Sequence, residues 1–182
     1  STAAVQTLVN GITYQDTNIN SPTAGNRVFT LTQVKDSGGT ANSGADTTTL
    51  SIASTVNVIA VNDAPTLTAT ASNPTFTEGA GSSQAAAVNV FSGAAVNTIE
   101  SGQTITGLTF TVSGLVDGAN ESIVVDGKTI TLGAPSSGTT TTNAFAYTST
   151  VSGGTATVVL SGGTASTAAV QTLVNGITYQ DT

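Results

Sequence analysis

The sequence predicts an all-β fold, a sandwich of antiparallel sheets laid out as a tandem repeat, and three observations carry that prediction. Apolar residues alternate with threonine in short runs, the period of a half-buried strand. Glycine-containing dipeptides separate those runs at hairpin spacing. The opening residues 1–17, STAAVQTLVNGITYQDT, return letter for letter as residues 166–182, a period of 165 residues. Long identical units in series add length rather than new chemistry, so a mechanical or positional role is expected.

In residues 1–17, Val5, Leu8, Val9 and Ile12 fall at helical spacing and Gly11 supplies the stop, which predicts one short helical turn. The second copy offers Val170, Leu173, Val174 and Ile177, with Ser166 or Thr167 as N-cap and Gly176 as the stop. Such a stripe is expected to pack on a core rather than form a partner site. Asp16, Asn18 and Asn20 have the opening spacing of an ion-binding loop but lack its glycine and distant glutamate, so an Asx-rich turn is expected there. Asp181 is the matching acid of the second copy.

Phe29 and Leu31 alternate with Thr30 and Thr32 and predict a strand, followed by a Gly, Ser and Thr-rich loop over residues 37–48. Leu50, Ile52, Val56 and Val58 share one parity of a long strand running toward Val61. The segment VNDAP, residues 61–65, is a short stiff connector: Pro65 has no N–H and holds Ala64 extended. This divides the chain into residues 1–61, the C-terminal part of one repeat, a linker at 62–65, and residues 66–182, the N-terminal part of the next.

Thr-x-Thr triplets begin at Thr66, Thr75 and Thr109, without the fixed short period of a flat ligand-binding ladder, so threonine reads as a soluble strand former. Leu108, Phe110 and Val112 fall on one face of a strand and Thr109 and Thr111 on the other. Asp117, Asn120 and Glu121 read as turn residues, although they could also hold an ion. Asp126-Gly127 joins residues 123–125 to 129–132 in a predicted type I′ hairpin, and Gly153-Gly154 joins 147–151 to 155–160 in the same way. Residues 133–142 are expected to be an exposed loop.

Composition removes several classes of function. The chain has no Cys and no His, which excludes a disulfide framework, thiol redox chemistry, Ser-His-Asp and Cys-His catalysis, and zinc sites of the usual composition. Paired carboxylates remain, but nothing in the sequence places two in a cleft, so no enzyme is expected. Three Lys and Arg against ten Asp and Glu, net charge −7, oppose binding to nucleic acid or to an anionic membrane surface. No apolar run reaches membrane-spanning length. The acidic excess would accept a hard divalent cation such as calcium.

The segments FTLTQVKDSGG (29–39), VNDAP (61–65), VFSGAAVNTIESGQTITGLTFTVSGL (90–115), ESIVVDG (121–127) and LVNGITYQDT (173–182) together resemble the long cadherin-like, immunoglobulin-like repeats of giant bacterial surface adhesins, many exported by type I secretion. The resemblance spans most of the period. It implies a string of Greek-key β-sandwiches on the bacterial cell surface or in the secreted fraction, partnered by neighbouring identical repeats, with calcium at the junctions. Carried over residue by residue, it makes Asp63, Asn97, Glu100, Asp36 and Glu78 the candidate calcium ligands. Asp63, Asn97 and Glu100 should gather at the start of the second repeat, with Asp36 at the far end of the first. Ala60 stands where the family has the first acid of its linker, and the paired acid is reduced to Asn97 and Glu100, which thins the oxygen set. The function expected is that of an extender projecting a distal binding region. Two alternatives are a filament or surface-layer subunit joined head to tail by strand complementation with other copies, and a carbohydrate-binding module.

Overall fold

The computed structural model describes residues 1–182, and the chain falls into two compact units, Ser1–Asn62 and Asp63–Thr182. Antiparallel strands dominate both units, and helices are few.

The first unit contains helix α1 (Thr2–Asn10) and a hairpin of β1 (Gly25–Lys35) with β2 (Thr47–Val58). The α1 stripe is a full nine-residue helix rather than a single turn. The register pairs Arg27 with Val56, Phe29 with Ser54 and Leu31 with Ile52, so these six side chains share one face of the hairpin. A bulge between Leu31 and Gln33 shifts the register beyond that point. Strand β2 ends at Val58 and does not run on to Val61, because β1 supplies no partner beyond Gly25. No residue of this unit is fully buried, and Leu8 is 70% exposed and Ile52 58% exposed. The alternation marks an apolar face that the rest of the unit covers only in part.

The second unit opens with β3 (Thr66–Ala71), β4 (Val88–Asn89), β5 (Phe91–Asn97) and β6 (Leu108–Ser113). It continues with β7 (Glu121–Val125), β8 (Lys128–Thr131), β9 (Ser136–Thr139), β10 (Ala146–Ser152) and β11 (Thr155–Ser161), and closes with α2 (Thr167–Asn175) and β12 (Thr178–Asp181). Two four-stranded sheets form, ordered β6-β11-β10-β9 and β4-β12-β7-β8, with β3 and β5 as a separate pair. Both sheets feed one core: Ile123, Val125 and Ile130 from one, Tyr147, Val158 and Leu160 from the other, with Leu132 and Phe145 from adjoining loops. Helix α2 adds Val170, Leu173 and Val174 to it. Each such side chain, taken out of water, contributes about 1.5–3 kcal/mol.

Both predicted hairpins have the turns their sequences require. Asp126 and Gly127 sit at φ 51° and 76°, and Gly153 and Gly154 at 56° and 70°, the left-handed values of a type I′ turn. Residues 133–142 depart from the loop expectation: β9 lies inside them, paired with β10, and Thr140 is buried. Threonine, serine and glycine without apolar alternation gave no strand signal, and only the free edge of β10 recruits them.

Candidate functional site

The linker delivers the backbone of Asp63 to Glu100, whose Oε1 accepts the Asp63 N–H. Asn97 stands in register with Thr66 at the start of β3, and its Oδ1 accepts the N–H of Ile99 at 2.9 Å. Glu100 therefore meets the backbone of the linker, while Asn97 meets the first residue of β3 beside it. The Oε2 of Glu100 is buried without a hydrogen-bond partner. Asp36 lies in the other unit, where its Oδ1 accepts the N–H of Gly38 at 2.8 Å in an Asx turn. Glu78 is exposed in the connection between β3 and β4. No group of three or more acidic side chains gathers here with metal-ligand geometry. Calcium takes roughly six to eight oxygens, so the residues present are too few by themselves and further donors would have to come from water or a neighbouring unit.

A different acidic group emerges from the fold. Glu121 is buried and its carboxylate is saturated: Oε2 accepts the N–H groups of Val116 and Asp117, each at 3.0 Å, and Oε1 accepts the Tyr179 hydroxyl at 2.9 Å. It closes the turn at Asp117 from within, in keeping with the turn reading. Burial, and then the hydrogen bond to Glu121, push the Tyr179 phenol well above its ordinary range. Asp181 lies opposite Glu121 in the β12–β7 ladder. Desolvation and the charges of Asp117 and Glu121 raise its carboxyl above the usual value. A raised carboxyl means that the folded state holds a proton the unfolded chain has already released, so stability falls as pH rises above the ordinary aspartate value through the raised one. Asp181→Asn should flatten that slope, measured as the urea midpoint of the chain from about pH 3 to about pH 7. An unchanged slope would show that Asp181 is not its source. Sequence could not pair Asp181 with Glu121, because the two are brought together only by sheet register.

Asp126, which the sequence marks only as a turn residue, is the other buried acid. Its carboxylate accepts the Thr140 hydroxyl, the Asn143 backbone N–H at 2.9 Å and the Asn143 side-chain amide at 2.6 Å. Its carbonyl accepts the N–H groups of Thr141 and Thr142. One side chain thus fastens the β7–β8 turn to the β9–β10 connection.

Two apolar grooves stand open, one in each unit. In the second unit a groove of about 350 Å³ opens beside β6 and β4, edge strands of the two sheets, lined by Val90, Phe91, Phe110, Val112, Ile177 and Tyr179 among others. The core thins on that side. Ala156, Val158 and Leu160 of β11 are sealed, whereas their register partners Val112, Phe110 and Leu108 on β6 are only half-buried. In the first unit a groove of about 430 Å³ is lined by Ile12, Tyr14, Phe29, Leu31, Ile52 and Val56 among others. Ile12 and Tyr14 are the first-copy counterparts of Ile177 and Tyr179. The Tyr14 ring meets Phe29 edge-on at 5.8 Å, and the Tyr179 ring meets Phe76 edge-on at 5.9 Å.

No helix is long and apolar enough to cross a membrane. No family model, no curated protein and no solved structure matches this chain.

Proposed function

We propose that the chain is an extender: a tandem repeat, of the cadherin-like or immunoglobulin-like Greek-key sandwich kind, that holds a distal adhesive region of a bacterial surface or secreted protein away from the cell. The observation that carries this reading is the duplicated segment. Its two copies form helices with matching bounds and the same glycine C-cap, Gly11 and Gly176, one in each unit, so the same local piece recurs after a full period. Two four-stranded antiparallel sheets around one core support the sandwich, as does the neighbouring of strands distant in sequence, β6 with β11 and β12 with β7. The short linker, held by Glu100 at Asp63, supports a stiff junction. Calcium enters the proposal at that junction, completed by oxygens from outside the residues that meet there.

X-ray scattering on chains carrying successive numbers of the 165-residue period tests this. The maximum dimension should grow by a constant step per period, and a chelator should shorten that step by loosening the junctions. Growth that follows the compact scaling of a single globule would remove the extender reading, and a chelator-insensitive step would remove calcium alone.

A further inference from the structure

We propose that the groove beside β6 and β4 is the seat of the β1–β2 hairpin of a second copy of this chain, so that copies complement one another head to tail. The proposal rests on the tandem-repeat reading and names the surface and the partner it implies.

The duplicated segment acts as an internal ruler. In both copies the helix ends the same way: Gly11 N–H reaches the Thr7 carbonyl at 3.0 Å and Gly176 N–H the Thr172 carbonyl at 2.9 Å, while Ile12 N–H and Ile177 N–H each reach back to a valine carbonyl at 3.3 Å. Beyond the helix, Ile12 and Tyr14 face Phe29, Leu31, Ile52 and Val56 across one open groove. Ile177 and Tyr179 face Phe110, Val112 and Phe91 across the other. Overlaying the two helices and their matching ends therefore brings the hairpin's half-covered apolar face toward the groove of the second unit. Each groove lacks the wall that the other supplies.

Backbone and charge agree with this seating. Strand β6 pairs only with β11, and each hairpin strand pairs only with the other, so open ladder edges accompany both apolar faces. Arg27, one of only three Lys and Arg residues, shares the hairpin face with Phe29 and Leu31, while the groove is lined in part by Glu121 and has Asp117 and Asp181 close to that carboxylate. Residues 1–17 of the donor and 166–182 of the acceptor have one sequence, so only one of them can hold the place beside the groove. Because each chain carries both a hairpin and a groove, the contact is heterologous and its repetition generates open chains or closed rings, the smallest ring being a reciprocal dimer.

Sedimentation of the 182-residue protein over about 1–500 µM tests the seating. The mass should rise stepwise above the monomer. The double variant Leu31→Asp/Ile52→Asp, altered only on the hairpin, and Val112→Asp, altered only in the groove, should each weaken association by at least about 100-fold. Mixing the two should restore one joint and give dimers alone. Amide exchange over residues 108–113 should slow with concentration in the wild type and not in the hairpin variant, a readout that stands even if Val112→Asp fails to fold. A chain that stays monomeric throughout, or association that survives the hairpin variant, would overturn the proposal. The extender reading fails separately: a monomeric single chain with a constant step per added period removes the seating in trans and leaves the extender, and the reverse pattern does the opposite.

Discussion

Asp126→Ala is expected to lower the unfolding free energy of the second unit by about 3 kcal/mol. Two effects add. The buried carboxylate accepts three hydrogen bonds from Thr140 and Asn143, and its removal leaves the buried Thr140 hydroxyl unpaired, at about 1–3 kcal/mol, while half-buried Asn143 loses two bonds that water replaces only in part. Alanine must also hold φ near 51°, a left-handed value that costs a residue with a Cβ about 1 kcal/mol. Asp126→Asn separates the two, because asparagine tolerates the turn but loses charge-assisted acceptance. It should lose roughly half as much. Equilibrium urea unfolding followed by Tyr fluorescence measures both, and an Asp126→Ala loss under about 1 kcal/mol would show that the residue serves the turn alone.

The second large effect is a comparison the chain makes with itself. Leu173→Ala is expected to cost about 2–5 kcal/mol, and the same substitution at Leu8 less than about 0.5 kcal/mol. The residues occupy equivalent positions in identical 17-residue segments, both helical, and differ only in surroundings: Leu173 is 4% exposed in the core and Leu8 is 70% exposed. Helix propensity and capping sequence cancel between them, so the difference isolates tertiary burial. Denaturant titration at protein concentrations too low for self-association gives the comparison. Equal losses at the two sites would mean that α1 is covered in solution.

Much of the fold was legible because its signals are local. Leu108, Phe110 and Val112 mark β6 by alternation, and Asp126-Gly127 and Gly153-Gly154 mark their hairpins by tolerance of positive φ. Ser166 was readable as an N-cap, and its Oγ accepts the Ala169 N–H at 3.2 Å. Asp16 and Asn18 form the expected Asx-rich turn, in which Asp16 Oδ1 accepts the Asn18 N–H at 2.9 Å. Strand β9 was not legible, since serine, glycine and threonine carry no apolar period and the segment becomes a strand only by pairing with β10. The buried roles of Glu121 and Asp126 were equally hidden. Both residues sit in turn-like sequence, and their hydrogen-bond partners include residues far along the chain, Tyr179 for one and Asn143 for the other. The open grooves were legible only in part: duplication and alternation announced an apolar face on the hairpin, but the half-covered edge at β6 follows from strand order.

The duplicated segment divides what sequence decided from what tertiary structure decided. TAAVQTLVN is α-helix at Thr2–Asn10 and again at Thr167–Asn175, because helical hydrogen bonds close within four residues and need nothing from elsewhere. The TYQD that follows is a strand at Thr178–Asp181 and irregular at residues 13–16. A strand draws its hydrogen bonds from a neighbour, and only the second copy has β4 and β7 alongside. Burial follows the same rule: Val170, Leu173 and Val174 are core and Val5, Leu8 and Val9 are surface, although the residues are the same. Sequence wrote the helix, the turns and the apolar faces; which of those faces would be covered depended on what the rest of the chain placed against them.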